Sequence, residues 1–185
     1  MLSNGSSALK FPQVAISSFK SSAAKDEWDY PEMTIADRLR ALGIKLPELP
    51  APKGVYLPGV LHRDILYLSG QGPMLEDGSL AKGIVGRDVS LDDANFHARR
   101  AGMVLLAAAQ HILGSLDRVE RVINVLGMVN AAPTFSEHPK VINGCSELFV
   151  DVFGEAGRHA RAAVGMGTLP ENISVEIAAI FAVKP

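Results

Sequence analysis

The sequence predicts an α+β domain in which a mixed β-sheet carries two helices on one face. Three observations lead there. Two β-patterned runs open the domain, two more close it, and a further β-rich run lies between. Two segments with helical periodicity separate these groups, giving the order ββ(β)–α–β–α–ββ. Connections of helix length between strands call for parallel as well as antiparallel pairing, hence a mixed sheet with both helices on one side. With 185 residues, 48% of them hydrophobic, the chain has enough apolar material for one core.

The elements follow in order. Residues 1–33 stand apart as an N-terminal extension, and the domain spans 34–185. Met1 to Lys25 holds seven Ser, three Lys, no Arg and no acidic residue. That is the flavour of a mitochondrial or plastid transit peptide, except that such peptides are rich in Arg; a non-targeting extension is the preferred reading. Thr34-Ile-Ala-Asp37 reads as a capping-box variant opening a short helix that Gly43 stops. Pro47, Pro50 and Pro52 impose an extended linker. Strands are expected from Gly54 to Val60 and from Ile65 to Ser69, around a turn of His62, Arg63 and Asp64. Gly70 to Asp88 reads as a long loop, punctuated by Asp77-Gly78, Gly83 and Gly86. Ser90, with Asp93 three residues on, caps the clearest helix. Its Ala94, Ala98, Ala101, Leu105, Ala108 and Ile112 form a flat apolar face, and Gly114 ends it. A strand from Val119 to Val129 and a helix from Phe135 to Phe153 come next. Gly154 and Gly157 release the chain into the last two strands, which meet at Leu169-Pro170-Glu171-Asn172.

Composition excludes several classes. Lys and Arg number 18 against 20 acidic residues, a net charge of −2, so no basic field is available to hold nucleic acid. Cys145 is the single cysteine, which rules out an intrachain disulfide and a cysteine-rich metal site. No apolar run approaches the roughly 18 residues of a membrane span. These features predict a soluble, cytoplasmic protein, with a mitochondrion or plastid as the alternative if the extension is a transit peptide. No histidine pair has zinc-site spacing. There is no phosphate-binding glycine fingerprint, and Ser69 lacks the G-x-S-x-G context of a hydrolase nucleophile. No cofactor or metal is expected.

The closing strands carry the chemistry. Arg161 sits in a small-residue apolar run where Ala or Val would pack more easily. Glu176 is the single charge in V-E-I-A-A-I-F-A-V. Two lone opposite charges in successive apolar strands admit two readings. One is a carboxylate-binding cation beside an acid–base group. The other is a structural ion pair between neighbouring strands, which is weak evidence for stability because desolvation can cancel the attraction. Arg161 suits the first, since its planar fork takes a carboxylate through two parallel bonds.

The segment H-A-R-x-A-V-G-x-x-x-L-P-x-x-x-x-V-E-I, from His159 to Ile177, resembles the C-terminal signature of the Rid family, the YjgF group of reactive-intermediate imine deaminases. G-V-Y-L-P-G-V around Tyr56, L-Y-L-S-G-Q ending at Gln71, and P-K-V-I-N-G around Asn143 agree in order and spacing. The resemblance covers about Thr34 to the C-terminus. It implies a chorismate-mutase-like fold and a homotrimer with a ligand cleft at each subunit interface. It also implies a small carboxylate substrate: hydrolysis of 2-imino or enamine acids to 2-oxo acids and ammonia. By position in the motifs, Arg161 would take the substrate carboxylate and Glu176 would position water or move protons. Tyr56, Ser69, Gly70, Asn143 and Ala163 would line the cleft. Ser69 and Gly70 end a strand, where the glycine permits close backbone approach to a ligand. Plainer alternatives are core packing for Tyr56, a helix-surface or helix-packing role for Asn143, and for Glu176 a structural pair with Arg161 or with an interface lysine. Ala163 replaces the cysteine that many members carry, so a mechanism through that thiol is excluded. Ala178 likewise replaces a common acidic residue. A binding-only module for 2-oxo acids is the alternative function, and endoribonuclease activity, attached to the family by name, fits the charge balance poorly.

Overall fold

The computed structural model describes residues 33–49 and 54–185. The extension up to residue 32 and the linker prolines Pro50 and Pro52 lie outside the described residues. Helix α1, Ile35–Ala41, begins where expected. The Thr34 hydroxyl accepts from the backbone N–H of Asp37 at 3.1 Å and donates to its carboxylate at 2.6 Å, so both capping groups are used.

Strand β1 covers Gly59–His62 and β2 covers Ile65–Gln71. The first strand thus starts later than the expected Gly54. Pro58 has no N–H to donate, and pairing opens instead where its carbonyl accepts from Ser69 at 3.0 Å. The second strand runs past Ser69 into the stretch expected as loop, and its register against the last strand shifts between Leu68 and Gln71. That bulge places Ser69 and Gly70 at a kink, a common position beside binding sites. Helix α2, Leu91–Leu113, is capped by Ser90 and stopped by Gly114 at φ 79°. Its Ala94, Ala98, Ala101, Leu105 and Ala108 are fully buried. Strand β3, Val119–Asn130, is followed by helix α3, His138–Phe153. That helix begins three residues after the expected Phe135 because Pro139 is tolerated only in a first turn. Strands β4, Ala160–Met166, and β5, Val175–Val183, complete the chain.

The sheet order is β1-β2-β5-β3-β4. β5 is inserted antiparallel between β2 and β3, and β4 pairs parallel to β3 at an edge. The expected mixed sheet with its two long helices is therefore present, with α2 over β2 and β5 and α3 over β3 and β4. Alternation along β5 defines the faces. Val175, Ile177, Ala179, Phe181 and Val183 are buried toward the helices, while Glu176, Ala178 and Ile180 point to the other side. That other face has no helix on it and is apolar: Val60, Tyr67, Leu126 and Val164 are exposed there. Among the described residues, no helix is long and apolar enough to cross a membrane.

Candidate functional site

Two clusters of side chains form, and the sheet keeps them apart. The first gathers around Arg161 on β4. Pairing in parallel with Val125, which is fully buried, turns Arg161 toward α3. There Nη1 donates to Asn143 Oδ1 at 2.9 Å and to Ser146 Oγ at 3.0 Å. Both hydrogens of Nη1 are then committed. No partner among the described residues takes the Nε and Nη2 hydrogens, which form the parallel edge that grips a carboxylate side-on. Asn143 and Ser146 are three apart on α3, hence on one helical face.

The helix is held close to its neighbour by Gly144. A Cβ there would come within 2.0 Å of the Asn95 carbonyl oxygen on α2. Across the same crossing, Asn95 Nδ2 donates to the Lys140 carbonyl at 2.8 Å. Ala163 lies two residues beyond Arg161 on the same side of β4, partly packed on the core.

The second cluster surrounds a cleft of about 230 Å³ at the end of β2. Tyr56, Gly70, Gln71, Glu171 and Glu176 line it with Met74, Leu80, Val104 and Ile173. Tyr56 is half exposed rather than packed in the core. Ser69 serves the cleft indirectly: its hydroxyl donates to the Leu57 carbonyl at 2.7 Å and ties down the segment that carries Tyr56. Gly70 lets the Glu176 carboxylate come close, since a Cβ there would lie 2.1 Å from Oε1 and displace it. The Glu176 carboxylate has no ion-pair or hydrogen-bonding partner among the described residues. Burial raises its pKa above the ordinary carboxylate value. Glu171, at φ 53°, carries a second carboxylate at the rim, 3.6 Å from Lys82 Nζ. One carboxylate is thus paired with a lysine, and the other is partly buried and, among the described residues, unpaired.

The reading of Arg161 and Glu176 as near neighbours, whether as ion pair or as joint site within one chain, is corrected here. β3 lies between β4 and β5, a lateral distance of about 10 Å. Through Val125, Arg161 is level with Ala179, three residues along β5 from Glu176. Their α-carbons are therefore about 14 Å apart, with the side chains on opposite faces of the sheet. Successive strands in sequence are not neighbours in this sheet, and that separated the pair.

Sequence reasoning passed over Ser146 and His159. Ser146 Oγ is 3.0 Å from His159 Nε2, and His159 Nδ1 is 2.6 Å from the Gly157 carbonyl oxygen. A search of the histidines for zinc-site spacing did not reach this contact. The signals were the spacings: Ser146 is one helical turn from Asn143, and His159 is two extended residues from Arg161. Arg158, by contrast, forms an exposed pair with Glu155 at 2.9 Å.

A mixed sheet with its long helices on one face, an edge-strand arginine and a partly apolar cleft mark the class of the domain as α+β with an open sheet face. Comparison with known proteins places it further. The family model described as "YjgF/chorismate_mutase-like, putative endoribonuclease" matches residues 36–183. The chain belongs to this family, the Rid group that its motifs indicated. It is 40% identical to Protein TCP17 of Trypanosoma cruzi over 79% of this chain and 92% of that one. The crystal structure of Atu1372, a protein of unknown function from Agrobacterium tumefaciens, superposes with a TM-score of 0.75. It is 44% identical, with 82% of this chain and 94% of that one covered. RidA from the Antarctic bacterium Psychrobacter sp. is 26% identical with a TM-score of 0.53, covering 74% of this chain and 94% of its own.

Proposed function

We propose that the protein is a cofactor-independent hydrolase that converts reactive 2-imino acids to 2-oxo acids and ammonia, at a cleft completed between subunits of a homotrimer. The observation that carries this is the state of Arg161. Its Nη1 is anchored by Asn143 and Ser146, and the Nε–Nη2 edge is left to take a carboxylate in two charge-assisted bonds. The imine carbon is bonded directly to that carboxylate, so an acid–base group must reach within a few ångströms of it. Glu176 of the same chain lies on the far face of the sheet, whereas Glu176 of a second copy can complete the site. The exposed apolar face supplies a surface for such association. Closed symmetry then makes every interface equivalent.

In the assembled cleft, Arg161 fixes the carboxylate and exposes the C=N carbon. Glu176 takes a proton from water as the oxygen bonds to the carbon of the protonated imine, and the C=N electron pair moves to nitrogen to give a neutral carbinolamine. Glu176 then returns that proton to nitrogen, ammonia leaves with the C–N bonding pair, and the carboxylate accepts the hydroxyl proton to leave the carbonyl. A carboxyl group whose pKa is raised by burial suits both transfers. Tyr56, Met74, Leu80 and Ile173 offer an apolar wall to the substrate side chain.

The anchor is complete without Glu176, so a binding-only module for 2-oxo acids remains the second reading. The test couples a threonine dehydratase, which releases the imine, to timed appearance of 2-oxobutanoate. Arg161→Ala should remove the acceleration with the melting temperature kept. Two charge-assisted bonds at about 1.5–3 kcal/mol each correspond to about two to four decades. Glu176→Gln should lower turnover and retain 2-oxobutanoate binding. A folded Arg161→Ala protein at the wild-type rate would refute the catalytic reading.

A further inference from the structure

We propose that Ser146 and His159 are positioning residues, forming a hydrogen-bond relay that sets the orientation in which Arg161 presents its free edge to the substrate. The inference rests on the carboxylate-anchoring reading of Arg161 given above and adds the device that aims it.

The direction of each bond follows from chemistry. The Gly157 carbonyl can only accept, so His159 Nδ1, at 2.6 Å, carries the proton. His159 Nε2 is then an acceptor and takes the Ser146 hydroxyl hydrogen at 3.0 Å. With its hydrogen committed, Ser146 Oγ presents lone pairs to Arg161 Nη1 at 3.0 Å. With the imidazole neutral, the relay runs from a backbone carbonyl through an imidazole and a hydroxyl to the guanidinium. Rotation of the hydroxyl toward Arg161 would set two donors against each other, so His159 selects the orientation that holds the arginine. The imidazole is itself fixed. Its ring stands edge-on to Phe149 at 5.9 Å between centroids, with an interplanar angle of 73°, and Phe149 is fully buried. Burial, with Arg161 close by, holds the His159 pKa below its ordinary value, in keeping with the neutral tautomer. Asn143 takes the other Nη1 hydrogen. The guanidinium is consequently held at two points on α3, which defines its plane as well as its position.

This arrangement separates two jobs within one side chain. Nη1 is a fixed hinge and the Nε–Nη2 edge is the working surface. Loss of the Ser146 contact leaves the charge in place and releases the plane, so ground-state capture of the carboxylate suffers more than the subsequent proton transfers at Glu176.

The experiment measures the Kd of 2-oxobutanoate by calorimetry, alongside KM and kcat in the coupled imine assay. The proteins are full-length wild type, Ser146→Ala, Ser146→Thr, His159→Ala and the Ser146→Ala/His159→Ala double variant. Ser146→Ala should raise Kd and KM about tenfold, the effect of one lost bond to a charged group, with a smaller change in kcat and an unaltered melting temperature. Ser146→Thr keeps the hydroxyl and should restore binding. The double variant should bind no more weakly than Ser146→Ala alone, because both substitutions cut one chain of bonds. Should His159→Ala unfold by losing its packing on Phe149, the two Ser146 variants decide the matter. Wild-type Kd and KM in a folded Ser146→Ala protein overturn the relay and leave the anchor untouched. Failure of the wild type itself to bind 2-oxobutanoate overturns the anchoring reading, and the relay falls with it.

Discussion

A mixed assembly built from two inactive variants distinguishes a site shared between chains from one contained within a chain. Arg161→Ala lacks the anchor and keeps Glu176, while Glu176→Gln keeps the anchor and lacks the acid–base group. The structure separates these residues by about 14 Å across opposite sheet faces, so in the proposed trimer each cleft would draw Arg161 from one subunit and Glu176 from the next. In trimers assembled at random from equal amounts, about one interface in four pairs an intact Arg161 with an intact Glu176. Each parent has no intact interface. The unsorted mixture should thus recover up to about a quarter of wild-type turnover, and isolated mixed trimers, with one intact interface in three, up to about a third, against parents lowered by about two decades or more. Co-expression with two affinity tags isolates the mixed species, native mass spectrometry verifies its composition, and the coupled imine assay reads it. Activity equal only to the average of the two parents, in a verified mixed trimer, would refute the shared cleft. A protein that sediments at its monomer mass would remove the premise.

Two further outcomes follow from the second cluster. Gly70→Ala puts a Cβ 2.1 Å from Glu176 Oε1, and the carboxylate must retreat by about 1 Å to regain van der Waals contact. A displacement of that size can lower turnover about a hundredfold, so kcat should fall while 2-oxobutanoate binding changes little; an unchanged kcat would show that Glu176 has no fixed working position. Glu176→Gln should be more stable than wild type at neutral pH. The folded pKa of Glu176 is raised, so its stabilising contribution is complete below the unfolded value and is lost as pH rises through the folded one. Melting temperatures from pH 4 to 8 should show the variant's advantage growing with pH, and an advantage that stays flat would contradict the desolvation account.

Much of the fold was legible because its signals are local. The Thr34 and Ser90 caps, the alanine face of α2 and the glycine stops each act within one or two turns of chain, and each appears where the pattern places it. The misplaced boundaries have local causes of another kind. Pro58 delays β1 and Pro139 delays α3, through a missing N–H and a first-turn preference that apolar periodicity does not register. The bulge at Ser69 and Gly70 depends on the register against β5, about a hundred residues away, and no run of residues encodes it alone.

The site was legible as a set of residues and opaque as an arrangement. Arg161 and Glu176 stand out because a lone charge in an apolar strand is conspicuous, yet their adjacency in sequence is misleading once β5 enters the sheet between β2 and β3. β3 then lies between β4 and β5, and the register through Val125 puts Arg161 and Glu176 on opposite faces. Ser146 and His159 were harder to see, because a serine in a helix and a histidine before a strand are unremarkable by type. What gives them meaning is that β4 lies parallel to β3 and returns under α3, so a helical spacing of three and a strand spacing of two converge on one guanidinium. The same geometry explains why Arg161 tolerates its strand: it leaves the packed interior for a polar niche on the helix and ends with a free edge at the border of the sheet. In the proposed trimer, a charge at the sheet border and an acid on the far face of the next chain would meet at one interface. The apolar open face and the separation of Arg161 from Glu176 are two consequences of one topology.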